Sequence, residues 1–314
     1  FIMFSFLKFS TNLAHSPKII LMLAVMLFAG FFMTRLTKLL HLPHVTGYIL
    51  AGVAIGPHIL GLVDTDAIAR MDFVNDIALA FIAFGVGQYF KTVTLRQSGH
   101  KIVAITLWES LSAAVLVTAS MYFLFHFSLP FSLLLGAIGC ATAPASTIMT
   151  IQQYDAKGPF VNLILQIVAL DDAVALIAFS ICAAYVQASN AGVVSAGLIL
   201  KPVLFNLLAL LLGFLFGFVL HRAVDTDRSV QHRLALTIAI ILMLTGICAA
   251  MDISPLLSCM ILGACYINIG GSQSLFDQAN RFISPILLIF FVLAGARLNL
   301  PSLLTAGAAG IAYF

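Results

Sequence analysis

Asp171 and Asp172 stand side by side in the middle of the apolar run Phe160 to Ala184. An ionisable side chain at the centre of a membrane span costs several kcal/mol, so two in succession point to a site that handles protons or cations rather than to packing. About 20 residues upstream a second apolar run is interrupted by Ala141-Thr142-Ala143-Pro144-Ala145-Ser146-Thr147. Backbone released from a helix at membrane depth is tolerated only where protein or a water-filled cavity satisfies it. A broken helix beside a buried acid pair is how transporters build an ion site. The break also supplies what a hard monovalent cation needs: carbonyls around Ala141 to Ala145 and the hydroxyls of Thr142, Ser146 and Thr147. Adjacent helical positions point about 100° apart, so the two carboxylates cannot both face one small ion and are expected to have different partners.

A third acid, Glu109, lies about 13 Å into the fourth apolar run, among Thr106, Ser110 and Ser112. It reads as a helix–helix hydrogen-bond anchor, the preferred reading, or as part of a proton path.

The elements that must position these groups are membrane helices. The 314 residues are 62% hydrophobic and 9% charged, with a mean hydropathy of +1.11. Soluble domains are about 25% charged, so the chain is a polytopic membrane protein of the all-α class. A net charge of +3, scattered along the sequence, cannot form the continuous basic face that nucleic-acid binding requires. The five cysteines fall inside apolar runs without CxxC or Cys/His spacing and read as core packers. Neither a HExxH nor a GxSxG motif falls in a span, so an embedded enzyme is not expected, and no cofactor is implied.

Apolar windows place spans near 18–39, 44–62, 73–90, 101–127, 130–153, 159–187, 198–221, 233–251, 254–269 and 282–300, with an eleventh beginning near 302. Ten of the 15 Lys and Arg residues fall in loops on one side, including Arg35, Lys91, Arg96, Lys157 and Arg281. By the positive-inside rule that side is cytoplasmic and the N-terminus lies outside. Short loops throughout make residues 1–314 a single transmembrane domain. With Phe1 at the start and the eleventh run cut at Phe314, the chain reads as a fragment lacking its last two to three helices.

An internal repeat is visible. Phe81 to Phe90 resembles Ile289 to Leu298 with Gly87 over Gly295, and Leu50-Ala51-Gly52 resembles Ile261-Leu262-Gly263 at nearly the same offset. Spans one to six form a first copy, and eight to eleven begin a second. The offset is seven spans, an odd number, so the copies have inverted topology. The partner of the broken fifth span would then be a twelfth, beyond Phe314, crossing it near the midplane.

Leu42-Pro43-His44-Val45-Thr46-Gly47-Tyr48-Ile49-Leu50-Ala51-Gly52-Val53-Ala54-Ile55-Gly56-Pro57 resembles the LPxVxGYLLAGxxxGP signature of the monovalent cation:proton antiporter-2 family. The third span with Gln88, the Thr-Ala-Pro-Ala-Ser-Thr break, the loop Tyr154 to Pro159 and Leu170-Asp171-Asp172-Ala173 extend the resemblance over nearly the whole chain. It implies a sodium-proton antiporter-like bundle with a dimerisation domain and a core of crossed, interrupted helices, exchanging Na+ or K+ for H+ by alternating access. Asp172 matches the main ion-binding carboxylate. Asp171 matches the acid that pairs with a Lys or Arg of a later helix. Paired acids resemble the electrogenic members. The same resemblance implies a homodimer in the lipid bilayer of a bacterial inner membrane, and potassium-efflux relatives carry a cytosolic C-terminal regulatory domain. Two positions depart from the pattern: Ala143 stands where relatives often have an acid, and Gln88 replaces another. A sodium-coupled solute symporter of the same fold and a non-transporting membrane sensor are the alternative readings.

Overall fold

The computed structural model describes residues 15–191, 196–224, 229–251, 253–302, 307 and 310. Its elements are α1 His15–Leu39, α2 His44–Ile55, α3 Thr65–Arg70, α4 Asp72–Gly87, α5 Thr92–Ala119, a π turn Ser120–Leu124, α6 Leu129–Gly139, α7 Pro144–Gln153, α8 Pro159–Ala191, α9 Ala196–Ala223, α10 Val230–Ala250, α11 Pro255–Asn268 and α12 Gln273–Ala296. Among the described residues seven stretches are long and apolar enough to cross a membrane, and one of these, Leu129–Gln153, does so as two helices, α6 and α7. Most of the expected eleventh span lies outside the described residues.

Proline and glycine set several boundaries. The expected span 44–62 ends as a helix at Ile55, because Gly56-Pro57 follows and Pro57 has no N–H to continue the ladder. The chain then folds back on the helix end, with Leu60 N–H donating to the Ala54 carbonyl at 3.1 Å and Val63 N–H to that of Ile55 at 3.1 Å. Asp64 caps α3 by accepting from Ala67 N–H at 2.8 Å and pairs with Lys18. Partial burial raises the Asp64 carboxyl, but the bonds from Lys18 and Ala67 outweigh it and hold the group below its ordinary value.

Elsewhere the helices outrun the apolar windows. α12 starts at Gln273 rather than near 282 because 273–281 is amphipathic: Leu275, Phe276 and Ala279 are buried while Gln273, Ser274 and Asp277 are exposed. α5 starts at Thr92 rather than near 101 and has no side-chain cap of its own. Asn268 at the end of α11 supplies one, its Oδ1 accepting from Thr92 N–H at 2.8 Å and Thr92 Oγ1 at 2.9 Å. The same amide donates to the carbonyls of Phe90 at 2.8 Å and Ala264 at 2.7 Å.

The chain divides into two compact units. One takes in the described residues of 1–78, 149–155 and 281–305; its core joins Met22 and Met26 of α1, Ala51 and Ile55 of α2, Met71, Val74, and Val292, Leu293 and Ala296 of α12. The other takes in those of 79–148, 156–280 and 306–314. In it α5, α6 and α8 pack together, and α9 packs on α8, α10 and α11. Phe84 stacks on Phe276 with ring centroids 4.6 Å apart.

Glycines permit the tightest crossings in both units. A Cβ on Gly52 would lie 2.0 Å from the Val292 carbonyl oxygen, and one on Gly295 would lie 2.1 Å from that of Ile49. In the second unit a Cβ on Gly87 would lie 2.4 Å from the Met260 oxygen, and one on Gly263 2.3 Å from that of Phe84. The four glycines that the sequence comparison sets over one another are therefore the four at these crossings. Gly213 and Gly217 play the same part for α9 on α11.

Gly87→Ala is expected to destabilise the protein by about 2–3 kcal/mol, because the clash is with backbone that cannot rotate away. Gly246, with nothing within 4 Å of its notional Cβ, is the control. Unfolding midpoints in detergent should fall for Gly87→Ala and stay level or rise for Gly246→Ala.

Candidate functional site

The site is built from α8, the break between α6 and α7, and the middle of α5. The break has a simple cause. Pro144 opens α7 with its φ fixed and carries no N–H, so the Cys140 carbonyl has no donor four residues on and the helix cannot continue. Cys140 to Ala143 cross the gap without helical structure. α8 begins afresh at Pro159, after Asp155 and Gly158 turn the chain with φ of 46° and 136°. It carries both aspartates near its centre.

Asp171 is completely buried, 0% exposed. Its Oδ2 accepts from Thr142 N–H and from Thr142 Oγ1, each at 2.8 Å. Its Oδ1 accepts from Ser110 Oγ of α5. The released backbone of the break thus finds its partner in the carboxylate, and the carboxylate finds donors on two elements. Such bonds to an acidic acceptor are about twice as strong as neutral ones. Asp172 is different. It is partly buried, and among the described residues it makes no hydrogen bond or ion pair.

The remaining residues of the break turn inward on α7. The Ala143 carbonyl accepts from Thr147 N–H at 3.4 Å, Ser146 Oγ at 3.0 Å and Thr147 Oγ1 at 3.3 Å. That carbonyl therefore serves the first turn of α7 rather than standing open, whereas the Cys140 carbonyl meets Pro144, which has no N–H, at the place of its helical donor. Each hydroxyl spends its hydrogen inside the protein, and a cation binds hydroxyl lone pairs, not hydrogens. Glu109 stands beside Ser110 on the exposed flank of α5, where Ser112 Oγ donates to its backbone carbonyl at 2.9 Å.

Ser110 is the residue that sequence reasoning did not assign to the acid pair. The available signal was the stripe Ile102, Thr106, Ser110, one helical turn apart in an apolar run; all three are buried. Gln88, the other departure from the family pattern, is buried with its Nε2 donating to the Gly85 carbonyl at 2.6 Å and its Oε1 accepting from Gln273 Nε2. An amide can donate and accept at once, which an ionised acid at that place could not. Arg297 pairs with Asp72. The Asn75 amide, with its oxygen toward the guanidinium, accepts from Arg297 Nη1 at 2.7 Å.

A family model described as sodium/hydrogen exchanger, transmembrane, matches residues 21–313. The chain belongs to the sodium/hydrogen exchanger family. The fold agrees. A structure of the sodium proton antiporter MjNhaP1 from Methanocaldococcus jannaschii at pH 8 is similar with a TM-score of 0.76 and 16% identity, covering 96% of this chain and 77% of that one. An electron-microscopy structure of the same antiporter gives 0.73 and 17%, covering 94% and 75%. An uncharacterized protein in the phaC 3' region of Methylorubrum extorquens is 33% identical over 76 residues, which is 24% of this chain and 27% of that protein. The chain thus matches about a quarter of that relative's length. Family and fold are those of integral, multi-pass transporters and not of enzymes.

In this sodium/hydrogen exchanger family member the two adjacent acids differ in what holds them, and stability should report the difference. Asp171→Ala strands the donors of Thr142, while Ser110 falls back on the Thr106 carbonyl, and is expected to cost about 2–3 kcal/mol. Asp172→Ala should cost less than about 1 kcal/mol, because no partner is lost. Thermal unfolding of both variants in detergent checks this, and equal midpoints would contradict the division.

Proposed function

We propose that this protein exchanges a monovalent cation, Na+ or K+, for H+ across the membrane, with Asp172 as the carboxylate that both compete for. The observation that carries the reading is the contrast within the acid pair: Asp171 is held by three bonds from Thr142 and Ser110, while Asp172 is partly buried next to it with no hydrogen bond or ion pair among the described residues. A carboxylate in that setting needs a proton or a cation to offset its burial, and it cannot hold both. The backbone carbonyl of Cys140 and the hydroxyls of Thr142, Ser146 and Thr147 supply oxygen ligands for a dehydrated cation. Membership of the sodium/hydrogen exchanger family supports the reaction class.

The cycle follows from competition. With the site open to one side, a cation displaces the proton from Asp172; the loaded site then turns to the other side, where a proton displaces the cation. An empty, charged Asp172 is costly to move through the bilayer, so the two fluxes are coupled. The second acid extends the proposal to electrogenic exchange: if Asp171, whose three donors leave one lone pair of Oδ1 open, also trades a proton against the same cation while keeping those bonds, net charge moves, and the membrane potential contributes about 2.3 kcal/mol per charge per 100 mV. A homodimer in a bacterial inner membrane, and a cytosolic regulatory domain following this one, complete the proposal on the strength of the family resemblance.

The test uses the full-length protein in proteoliposomes with a trapped pH-sensitive dye, adding Na+, K+ or Li+ in turn. Cation-triggered proton movement is expected in the wild type and should fall to the level of protein-free vesicles in Asp172→Asn. Undiminished exchange in that variant would sink the mechanism. An imposed potential, interior negative, should change the initial rate if the exchange is electrogenic and leave it unchanged if not.

A further inference from the structure

We propose that Ser110 is a positioning residue of the exchange site, acting through Asp171 to fix the interrupted backbone that holds the cation. This rests on the cation-exchange reading above. The observation is that Asp171 connects α5 to the break: its Oδ1 accepts from Ser110 Oγ on α5, and its Oδ2 accepts from Thr142 N–H and Oγ1 in the break.

Ser110 is not placed there as a helix packer. Two polar side chains lie on the buried stripe of α5, and they behave differently. Thr106 bonds back to its own helix, its Oγ1 donating to the Ile102 carbonyl at 3.0 Å. Ser110 has the corresponding choice, the Thr106 carbonyl at 2.8 Å, and also lies against Asp171 Oδ1. A serine has one hydroxyl hydrogen for these two acceptors. The carboxylate is the stronger acceptor, and the Thr106 carbonyl still has the ordinary helical N–H four residues on. The hydrogen therefore goes to Asp171.

The consequence lies in the break. Helical hydrogen bonds do not fix Cys140 to Ala143. Their position is set at the α6 end by Ala141 N–H, which donates to the Ile138 carbonyl at 3.2 Å, at the α7 end by Ala143, whose carbonyl is tied to the first turn of that helix, and in the middle by the bonds from Thr142 to Asp171. A carboxylate is free to rotate about its own axis unless both oxygens are held. With the Oδ1 bond removed, Oδ2 can swing, Thr142 follows, and the adjoining carbonyls lose the fixed spacing that a small dehydrated cation reads. Ser110 does this without touching the ion. Its effect should fall on cation affinity and not on the rate at which the loaded site turns.

The experiment measures cation-dependent proton movement for the full-length protein in proteoliposomes, with apparent KM and maximal rate determined separately for the preferred cation. Cation-induced thermal stabilisation in detergent gives a binding curve that does not need transport. Ser110→Ala is expected to raise the apparent KM and the binding midpoint about five- to tenfold, with the maximal rate within about twofold of wild type. Ser110→Thr keeps the hydroxyl and should restore both to within about twofold. Ser110→Cys, with its weaker donor, should fall between them and covers the case in which the alanine variant does not fold. Ser180→Ala, which removes a hydroxyl bonded to its own helix at the Leu176 carbonyl 2.7 Å away, should change neither. An unchanged KM in the alanine or cysteine variant, or a threonine variant as impaired as alanine, would overturn the proposal. If the wild type binds a cation but moves no protons, the exchange reading fails while the binding curves still decide the role of Ser110. If it neither binds nor exchanges any of the three cations, both fail together.

Discussion

Everything at the centre of this protein depends on the carboxylate of Asp171 and the backbone of Thr142 satisfying one another. Each alone would be intolerable at membrane depth. An isolated carboxylate out of water costs several kcal/mol, and an orphaned backbone N–H costs a few more. Brought together, with Ser110 as a further donor, the two costs offset one another. The helix can then break where Pro144 requires it, and a break is what allows backbone oxygens to face something other than their own helix. The aspartate is thus a structural condition for the gap as much as a charge near it.

The rest of the unit that carries the site serves to hold that arrangement. α5 brings Ser110 to the acid, and its start is fixed by Asn268, which uses all of its donor and acceptor capacity on Phe90, Thr92 and Ala264. Asn268 ends α11, and α11 is locked to α4 where Gly87 and Gly263 let two backbones meet. In the other unit Gly52 and Gly295 do the same for α2 and α12. Between membrane helices there is no water to drive association, so close van der Waals approach over small residues carries the packing. That is why these four glycines sit at the crossings: side chains there would open the contact at its narrowest point.

Much of this was legible in the sequence, for reasons that can be named. The acid pair stands out because charge in an apolar run is costly, and the break because a proline between small hydroxyl residues cannot continue a helix. The glycine repeat shows itself because a backbone-to-backbone crossing admits no substitute. What escaped notice depends on distance or on amphipathicity. Ser110 is 61 residues from Asp171, and a serine in a span looks the same whether it bonds its own helix, as Thr106 does, or reaches another. The extension of α12 back to Gln273 fails any hydropathy window, since exposed polar residues dilute its buried face, and that of α5 back to Thr92 fails it because the sequence there carries Thr92, Thr94, Arg96, Gln97, Ser98 and His100. Cation ligands read as free from the composition of the break turn out to be unequal: the Ala143 carbonyl caps α7, and the Cys140 carbonyl meets Pro144 at the place of its helical donor.

Two residues of identical chemistry, one bond apart in sequence, take up different situations because a helix turns them about 100° from each other. Asp171 points at donors that the break and α5 present; Asp172 points where no donor reaches it among the described residues. The first gains so much from its neighbours that releasing them would unmake the site. The second loses nothing from the protein when it changes partner. In the proposed exchange these are complementary requirements, since a coupled carrier needs one group that keeps the ligand cage in place through the cycle and another that is indifferent enough to give up a proton for a cation. Neither property belongs to aspartate as such. Both follow from which face of α8 each carboxylate occupies, and exchanging the two roles would require rotating the helix and rebuilding every contact that Thr142 and Ser110 make.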